Sequence, residues 1–326
     1  MKRRQFTFAT TATLAAGWGS LAQAQPAWPQ RPVRWILSAP AGSGPDILAR
    51  FVADQLSRQM AHPITIENRP GGANVVGAQA AARSPADGHN FFFATTAAMV
   101  TNAYTFKSLP YDPVKDFTPV RLVGRSPFIF AAAANYPARD LAEVIARAKA
   151  TPGQVAIATD GPKTFSGMLA DIVASMAGIQ LNNIPYGTRP GAAIQDVISG
   201  RVQLVVMPHA ALDSYLESGQ LRALAVSTGR RMTELPNTPA LSETFAGFEY
   251  TGWNALFAPA GTPTDVVARV NRDLEALLRQ PEIAKRMLGM GSFVEPRMTV
   301  AEFDTFMKGE RERWATLVKA LGIQPE

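Results

Sequence analysis

The chain has 326 residues, 47% of them hydrophobic, with 32 Lys and Arg against 26 Asp and Glu. That length suits about two domains of roughly 100–200 residues each, and the formal charge of +6 is too modest to indicate nucleic-acid binding. With no cysteine, disulfides, thiolate chemistry, cysteine-ligated metals and a lipid-anchored N-terminal Cys are excluded.

The first residues read as an export signal. Lys2, Arg3 and Arg4 precede an apolar stretch from Phe6 to Leu21, and Ala22-Gln23-Ala24 supplies a cleavage signature. Residues 1–24 are therefore expected to be a signal peptide cut after Ala24. Arg3-Arg4-Gln5-Phe6 fits the core of a twin-arginine (Tat) signal, and the general secretory (Sec) route stays open beside it. Removal of this segment takes away three positive charges and no negative ones, leaving +3. No later apolar run approaches the roughly 20 residues that cross a bilayer, so a periplasmic location is expected.

Val33 to Leu37 has strand composition, and Ala41-Gly42-Ser43-Gly44 then opens a helix with Pro45 at its first position and Asp46, Ile47, Leu48, Phe51, Val52 and Leu56 after it. A helix start leaves backbone N–H groups unpaired, and a small-residue loop lets an anion approach them. A lone Gly-Ser-Gly is also compatible with an ordinary strand-to-helix turn. Ile64 to Glu67 is a short strand, Asn68 to Asn74 a loop whose glycines allow positive φ, Val75 to Arg83 a helix, and Phe91 to Ala94 a buried strand ending in Thr95-Thr96. The alternation predicts a parallel sheet, whose ligands bind at the carboxyl ends of the strands. The 41–46 loop and Thr95-Thr96 should face one crevice.

After Leu109 to Pro113 come Val120 to Val123 and Phe128 to Ala131, and the rhythm then repeats. A helix over 141–149 and a strand over 155–158 lead into Thr159 to Thr164, which opens a helix over 165–177 with Thr164 as N-cap. This is a second candidate anion site. Strand 183–186, loop 187–191, a helix to Ser199, strand 202–207, helix 209–217 and strand 221–227 follow, then an irregular 229–252. Ala255 to Ala258 is a last strand. Helices starting near Thr262 and capped by Thr299 are expected to cover the first sheet, so the chain crosses between domains twice.

His62, His89 and His209 have no metal-like spacing, and only His209, near Met207, could edge a cleft. There is no G-x-S-x-G, no P-loop and no complete G-x-G-x-x-G, since Ile47 stands where the third Gly would be. No catalytic residue, cofactor or metal is predicted, although Ser43 or Ser166 could serve a secreted hydrolase as nucleophile.

The motifs in order are Trp28-Pro29 with Pro32-Val33, Ala41-Gly42-Ser43-Gly44-Pro45-Asp46-Ile47, Glu67-Asn68-Arg69-Pro70-Gly71-Gly72-Ala73-Asn74, Leu109-Pro110-Tyr111-Asp112-Pro113, Ile184-Pro185-Tyr186, Leu221-Arg222-Ala223-Leu224 and Ala258-Pro259-Ala260-Gly261-Thr262-Pro263. Together they resemble the Bug family, the extracytoplasmic solute-binding proteins of tripartite tricarboxylate transporters. The resemblance implies an α/β, two-domain periplasmic binding protein (Venus flytrap), each domain a mostly parallel sheet flanked by helices, with two crossing strands as hinge. The expected domains are residues 25–124 plus 253–326, and residues 125–252. It implies a monomer holding a small carboxylate between the helix starts of both domains and delivering it to membrane permease subunits. The expected contacts are Ala41, Gly42, Ser43 and Asp46, with Thr95 and Thr96, in one domain, and Lys163, Thr164, Ser166, Thr188 and Arg189 in the other.

This chain departs from the family in its second domain, where Gly161-Pro162-Lys163-Thr164-Phe165 replaces the usual Gly-Asn-Gly-Ser-Pro, Gly167 stands at a usual His, and Met207-Pro208 replaces a polar strand end. Lys163 and Arg189 bring two cations toward the cleft, and Arg can hold a carboxylate bidentately. That favours a dicarboxylate with an apolar or aromatic middle against Phe165 and Met207, unless both cations are solvated rim residues. An amino acid would need an acidic partner for its ammonium, for which Asp160 and Asp46 are candidates. A ligand-sensing partner of a sensor kinase would use the same pocket.

Overall fold

A computed structural model describes residues 28–294 and 297–320, with 322, 324 and 325; the export signal at 1–24 lies outside the described residues. β1 (Val33–Leu37) is buried along nearly its whole length, as its β-branched and aromatic residues require. Ser43 is the extended N-cap of α1 (Gly44–Met60), whose Leu48, Val52 and Leu56 face the core before Ala61 ends it in the left-handed conformation. β2 (Ile64–Asn68), α2 (Val75–Ala82) and β3 (Asn90–Thr95) follow, then a π-helical turn over Ala97–Thr101 that runs into α3 (Asn102–Thr105).

β4 (Phe117–Ser126) continues through Pro127 into β5 (Phe128–Ala133). Next come α4 (Leu141–Ala150), β6 (Ala156–Thr159), α5 (Phe165–Ala177), β7 (Asn182–Pro185), α6 (Pro190–Ile198), β8 (Leu204–Pro208), α7 (His209–Glu217) and β9 (Leu221–Val226). The chain closes with α8 (Leu241–Thr244), β10 (Gly252–Pro259), α9 (Thr264–Leu278), α10 (Pro281–Gly289), β11 (Phe293–Val294) and α11 (Val300–Ala320). The π turn, α3, α8, α10 and the two-residue β11 have no counterpart among the predicted elements; α8 falls in the stretch 229–252 expected to be irregular.

These strands form two sheets, in the orders β11-β4-β10-β3-β1-β2 and β7-β6-β8-β5-β9. Each has helices packed on it, giving the two-lobed α/β architecture. The sheets are mixed rather than mostly parallel. β1 pairs in parallel with β2 and β3, and β6 with β7 and β8, but β10 is antiparallel to β3 and β4, and β5 to β8 and β9. The reason is topological. β5 and β10 carry the chain into a lobe from the other one, so they run away from the interlobe cleft while the strands of the βαβ units run toward it.

The two crossings lie side by side. The Phe128 N–H donates to the Ser227 hydroxyl and the Ser227 N–H donates to the Phe128 carbonyl, both at 2.9 Å. The Tyr250 N–H reaches the Ser227 carbonyl at 3.2 Å, and Asn254 Nδ2 donates to Ser126 Oγ at 2.7 Å. This paired ribbon is the hinge.

The closing helix does more than cover the first sheet. Phe303 packs on Phe257 and Phe306 on Trp253, whose indole N–H donates to Glu310 at 2.8 Å. Further along, Trp314 meets Tyr250 at 5.9 Å between ring centroids and the edge of Phe165, in the other lobe, at 5.6 Å. Trp314 is only 2% exposed. Replacing it with Ala should cost about 3–5 kcal/mol, read as a lower midpoint in urea and a lower Tm; a loss under about 1 kcal/mol, the level of ordinary surface changes, would refute this role for the interlobe contact.

Candidate functional site

The sequence logic of a strand followed by a small-residue loop and a helix operates several times, and each time the loop lies at the strand end that faces the other lobe. One cavity of about 160 Å³ results, walled from the first lobe by Ser38 to Pro40, Ser43 to Pro45, Pro70 to Asn74, Thr95 and Ala97, and from the second by Phe128, Asp160, Thr164 to Ser166, Gly187, Thr188, Pro190, Met207, Pro208 and Ala211. A cavity of this size holds a molecule about as large as benzene. Phe128 and Phe165, 4.7 Å apart between ring centroids, and Met207 give it an apolar side.

Five helix starts meet this cavity. Ser43 is the N-cap of α1, Asn74 of α2, Thr164 of α5 and Pro208 of α7, while Pro190 is the first residue of α6. A helix start carries a partial positive charge of about half an elementary unit, and here part of it is already met, since the Val75 and Val76 N–H groups of α2 donate to the Gly72 and Gly71 carbonyls and the His209 N–H of α7 to the Pro127 carbonyl. The caps differ in kind. Thr164 Oγ1 accepts from the Gly167 N–H at 3.3 Å and donates to the Gly161 carbonyl at 2.6 Å, so it is committed to its own loop. Ser43 Oγ donates instead to the Pro40 carbonyl at 2.6 Å, and no side chain caps α1.

Two further hydroxyls on the cavity wall have no protein partner among the described residues. Ser38, 2% exposed, and Thr95 both line the cavity with a buried, unpaired oxygen. A buried polar group left unpaired costs about 1–3 kcal/mol, so these two atoms are suited to a polar ligand.

Asp160 is the one ionisable side chain on the cavity wall among the described residues. Its Oδ2 accepts from the Ser166 hydroxyl at 3.1 Å, its backbone N–H donates to Ser166 Oγ at 3.0 Å, and Ser166 Oγ also lies 2.9 Å from Thr164 Oγ1. Burial pushes the Asp160 carboxyl up to about 6, against the opposing effect of the Ser166 hydroxyl.

Of the residues expected from sequence, Ser43, Thr95, Thr164, Phe165, Ser166, Thr188 and Met207 stand on the wall together. Six do not. Ala41 and Gly42 are exposed and are not part of the cavity wall. Asp46 is turned inward to hold that loop: it accepts from the Gly42 N–H at 2.9 Å, Arg50 Nε at 3.0 Å and Asn68 Nδ2 at 2.9 Å. Burial opposes its charge, but those three donors outweigh it and keep the carboxyl below the usual range. Thr96 Oγ1 accepts from the Trp253 N–H at 2.9 Å and so serves the sheet.

The two expected cations are also elsewhere. The Lys163 ammonium lies over the Phe106 ring of the other lobe, 4.4 Å from its centroid, and Arg189 is exposed at the start of α6 beside Tyr186. Lys163 thus ties one lobe to the other, a contact worth about 0.5–1 kcal/mol at such a site. His209 is buried against the Gly291 backbone, with Nε2 3.3 Å from Asp213, and does not reach the cavity. Neither Ser43 nor Ser166 therefore has an imidazole base among the described residues.

Sequence reasoning missed the wall formed by Pro70 to Asn74, and Ser38, Phe128, Gly187 and Pro190. A signal for the first existed: the 70–74 loop follows the carboxyl end of β2, one strand over from β1, and had to face the same crevice. Phe128 carries no such mark, because it reads as one more apolar residue of a buried strand.

Residues 48–323 match the model of the tripartite tricarboxylate transporter family receptor. Among curated proteins, a UPF0065 protein of Bordetella bronchiseptica is 33% identical, the match covering 93% of this chain and 89% of that protein. Protein BugT of Bordetella pertussis is 29% identical, with 91% of each chain covered. Among solved structures, R. palustris Rpa4515 with adipate has a TM-score of 0.87 at 28% identity over 92% of this chain and all of that one. The periplasmic binding protein BugD has a TM-score of 0.86 at 26% identity, with the same coverage.

The folded chain holds the Asp160 proton more readily than an unfolded one, whose carboxyl keeps its ordinary value of 3.8. Between about pH 4 and pH 6 the folded state therefore binds more protons, and this group's contribution to stability falls as pH rises. In thermal unfolding at stepped pH without ligand, the wild type should lose stability across that window relative to Asp160→Asn. Parallel curves for the two proteins would contradict the assignment.

Proposed function

Since the chain belongs to the tripartite tricarboxylate transporter receptor family, the Bug-type extracytoplasmic solute-binding proteins, we propose that it captures one small organic carboxylate between its lobes and delivers it to the membrane subunits of such a transporter. The observation that carries this reading is a cavity walled by both lobes that five helix starts meet. Neutral donors of this kind hold a carboxylate without a formal counter-charge. The proposed polar contacts are Ser38, Ser43, Thr95, Ser166 and Thr188 with the backbone at Thr164 and the start of α5, and Phe128, Phe165 and Met207 lie against the rest of the ligand.

The lobes are taken as residues 25–124 plus 253–326 and residues 125–252, a division supported by the membership of β1–β4, β10 and β11 in one sheet and β5–β9 in the other. Ligand contacts from both lobes favour the closed arrangement, because only there can both act on one molecule. The sequence argument for a dicarboxylate rests on Lys163 and Arg189, and neither lines the cavity. One carboxylate is the anchor we retain; the adipate of the R. palustris relative keeps a diacid as the competing ligand.

A thermal-shift screen of mono-, di- and tricarboxylates and amino acids should find a stabilising carboxylate, recovered unchanged afterward. At 100 times its Kd it would add about 2.7 kcal/mol. Thr95→Val should leave the ligand-free Tm within a degree or two while weakening that ligand about tenfold, as loss of one hydrogen bond to a charged group does. Hydrolysis of the compound, or binding indifferent to Thr95→Val, would count against the reading. Export is proposed through residues 1–24, so N-terminal sequencing of the periplasmic protein should begin at Gln25; a start elsewhere would displace that cleavage site.

A further inference from the structure

The cavity wall holds one carboxylate and no cation among the described residues, which is an unusual composition for a site that receives anions. Asp160 has one side-chain hydrogen bond, from Ser166 to Oδ2, and no described protein donor reaches Oδ1. No ion pair joins Asp160 to any described residue. Of the charges nearby, Lys163, three residues along the same loop, sits over Phe106 and lines an adjoining pocket that shares Asp160 and Thr164 with the cavity wall; Asp46 on α1 is held by Arg50 and Asn68; and Arg189 at the start of α6 is outside the wall.

We infer that Asp160 selects the ligand: its carboxylate receives the ammonium of a small amino-carboxylate whose own carboxylate lies at the converging helix starts. This rests on the carboxylate-capture reading above and names the class of carboxylate. A monocarboxylate would place a second negative charge beside Asp160 in a cavity of about 160 Å³, and a dicarboxylate would place a third. The helix starts offset part of that charge at their own end of the cavity. A ligand ammonium offsets the Asp160 charge directly, at the group that has no protein cation beside it. Burial already disfavours the lone Asp160 charge and moves its proton affinity upward, so a cation brought by the ligand meets a group in need of one. Size agrees, since the cavity suits a compact zwitterion, and Phe128 and Phe165 suit an apolar or aromatic spacer between its ends.

Isothermal titration of the mature chain at pH 7.5 tests this with matched pairs: 4-aminobutyrate against butyrate, β-alanine against propionate, and 4-aminobenzoate against benzoate, with succinate and adipate as diacids. At least one amino-carboxylate should bind ten times or more tighter than its partner lacking nitrogen and tighter than either diacid. Asp160→Asn and Asp160→Ser, checked for unchanged Tm behaviour in buffer at pH 4, should erase that preference and leave the simple monocarboxylate as tight or tighter. The inference is overturned if a diacid binds tightest, including a diacid whose affinity rises as pH falls through about 6 because Asp160 then donates a proton to it. It is also overturned if both variants keep the wild-type preference. In either case carboxylate capture stands, whereas failure of every carboxylate to bind removes both readings.

Discussion

The structure depends on how unpaired backbone N–H groups are disposed of. Every α-helix leaves several at its start, and a chain normally covers them with side-chain caps. Here α1, α2, α6 and α7 have no side-chain cap, and Thr164 of α5 covers only one. All five starts meet one cavity, and the N–H groups there that loop carbonyls do not already take, as they take those of Val75, Val76 and His209, form a shared anion-directed field. The field needs two lobes. α1 and α2 belong to one sheet and α5, α6 and α7 to the other, and neither set alone encloses a ligand.

That division explains which parts were legible in the sequence. A βαβ unit fixes which end of a strand carries the functional loop, so the approximate places of Ser43, Thr95, Thr164 and Thr188 follow from composition and order alone. The same reasoning predicted the N-cap at Thr164 and the start of α5. It failed where the fate of a side chain depends on tertiary neighbours. Asp46 reads equally well as a ligand contact or as a brace, and only Arg50, Asn68 and the Gly42 N–H decide for the brace. Lys163 reads as a cation for a carboxylate until Phe106, distant in sequence, takes its ammonium. Sheet direction escaped for a similar reason: whether β5 and β10 run with or against their neighbours is set by the lobe from which the chain arrives.

The hinge is narrow by comparison with the contacts it allows. Ser227 bonds to both backbone groups of Phe128, and Asn254 reaches Ser126, so the two crossings move as one ribbon. Away from that ribbon the lobes touch through separate patches: Gly44 against Pro208, Lys163 over Phe106, His209 against Gly291, and Phe165 against Trp314. A side chain at Gly44 would come within 3.1 Å of Pro208 Cβ, so a larger residue at the start of α1 would make Pro208 give by a few tenths of an ångström. These patches surround the cavity, and separating the lobes would dismantle its wall together with them.

Phe165 joins these two aspects. It is the first residue of α5, its ring lines the cavity beside Phe128, and its edge meets Trp314 on α11 of the opposite lobe. A ligand packed on Phe165 therefore presses on a residue that is itself part of the interlobe contact. Helix α11 carries Trp314 on the same face as Glu310, which accepts the Trp253 indole N–H, and Trp253 lies on β10 immediately after the second crossing. Cavity wall, closing helix and returning hinge strand belong to one hydrophobic cluster, which holds Phe128, Phe165, Trp253, Phe303 and Trp314. Recognition and closure in this fold are consequently one equilibrium: a contact made only when the lobes are together stabilises the closed state by its full free energy, and a contact made in both states shifts nothing.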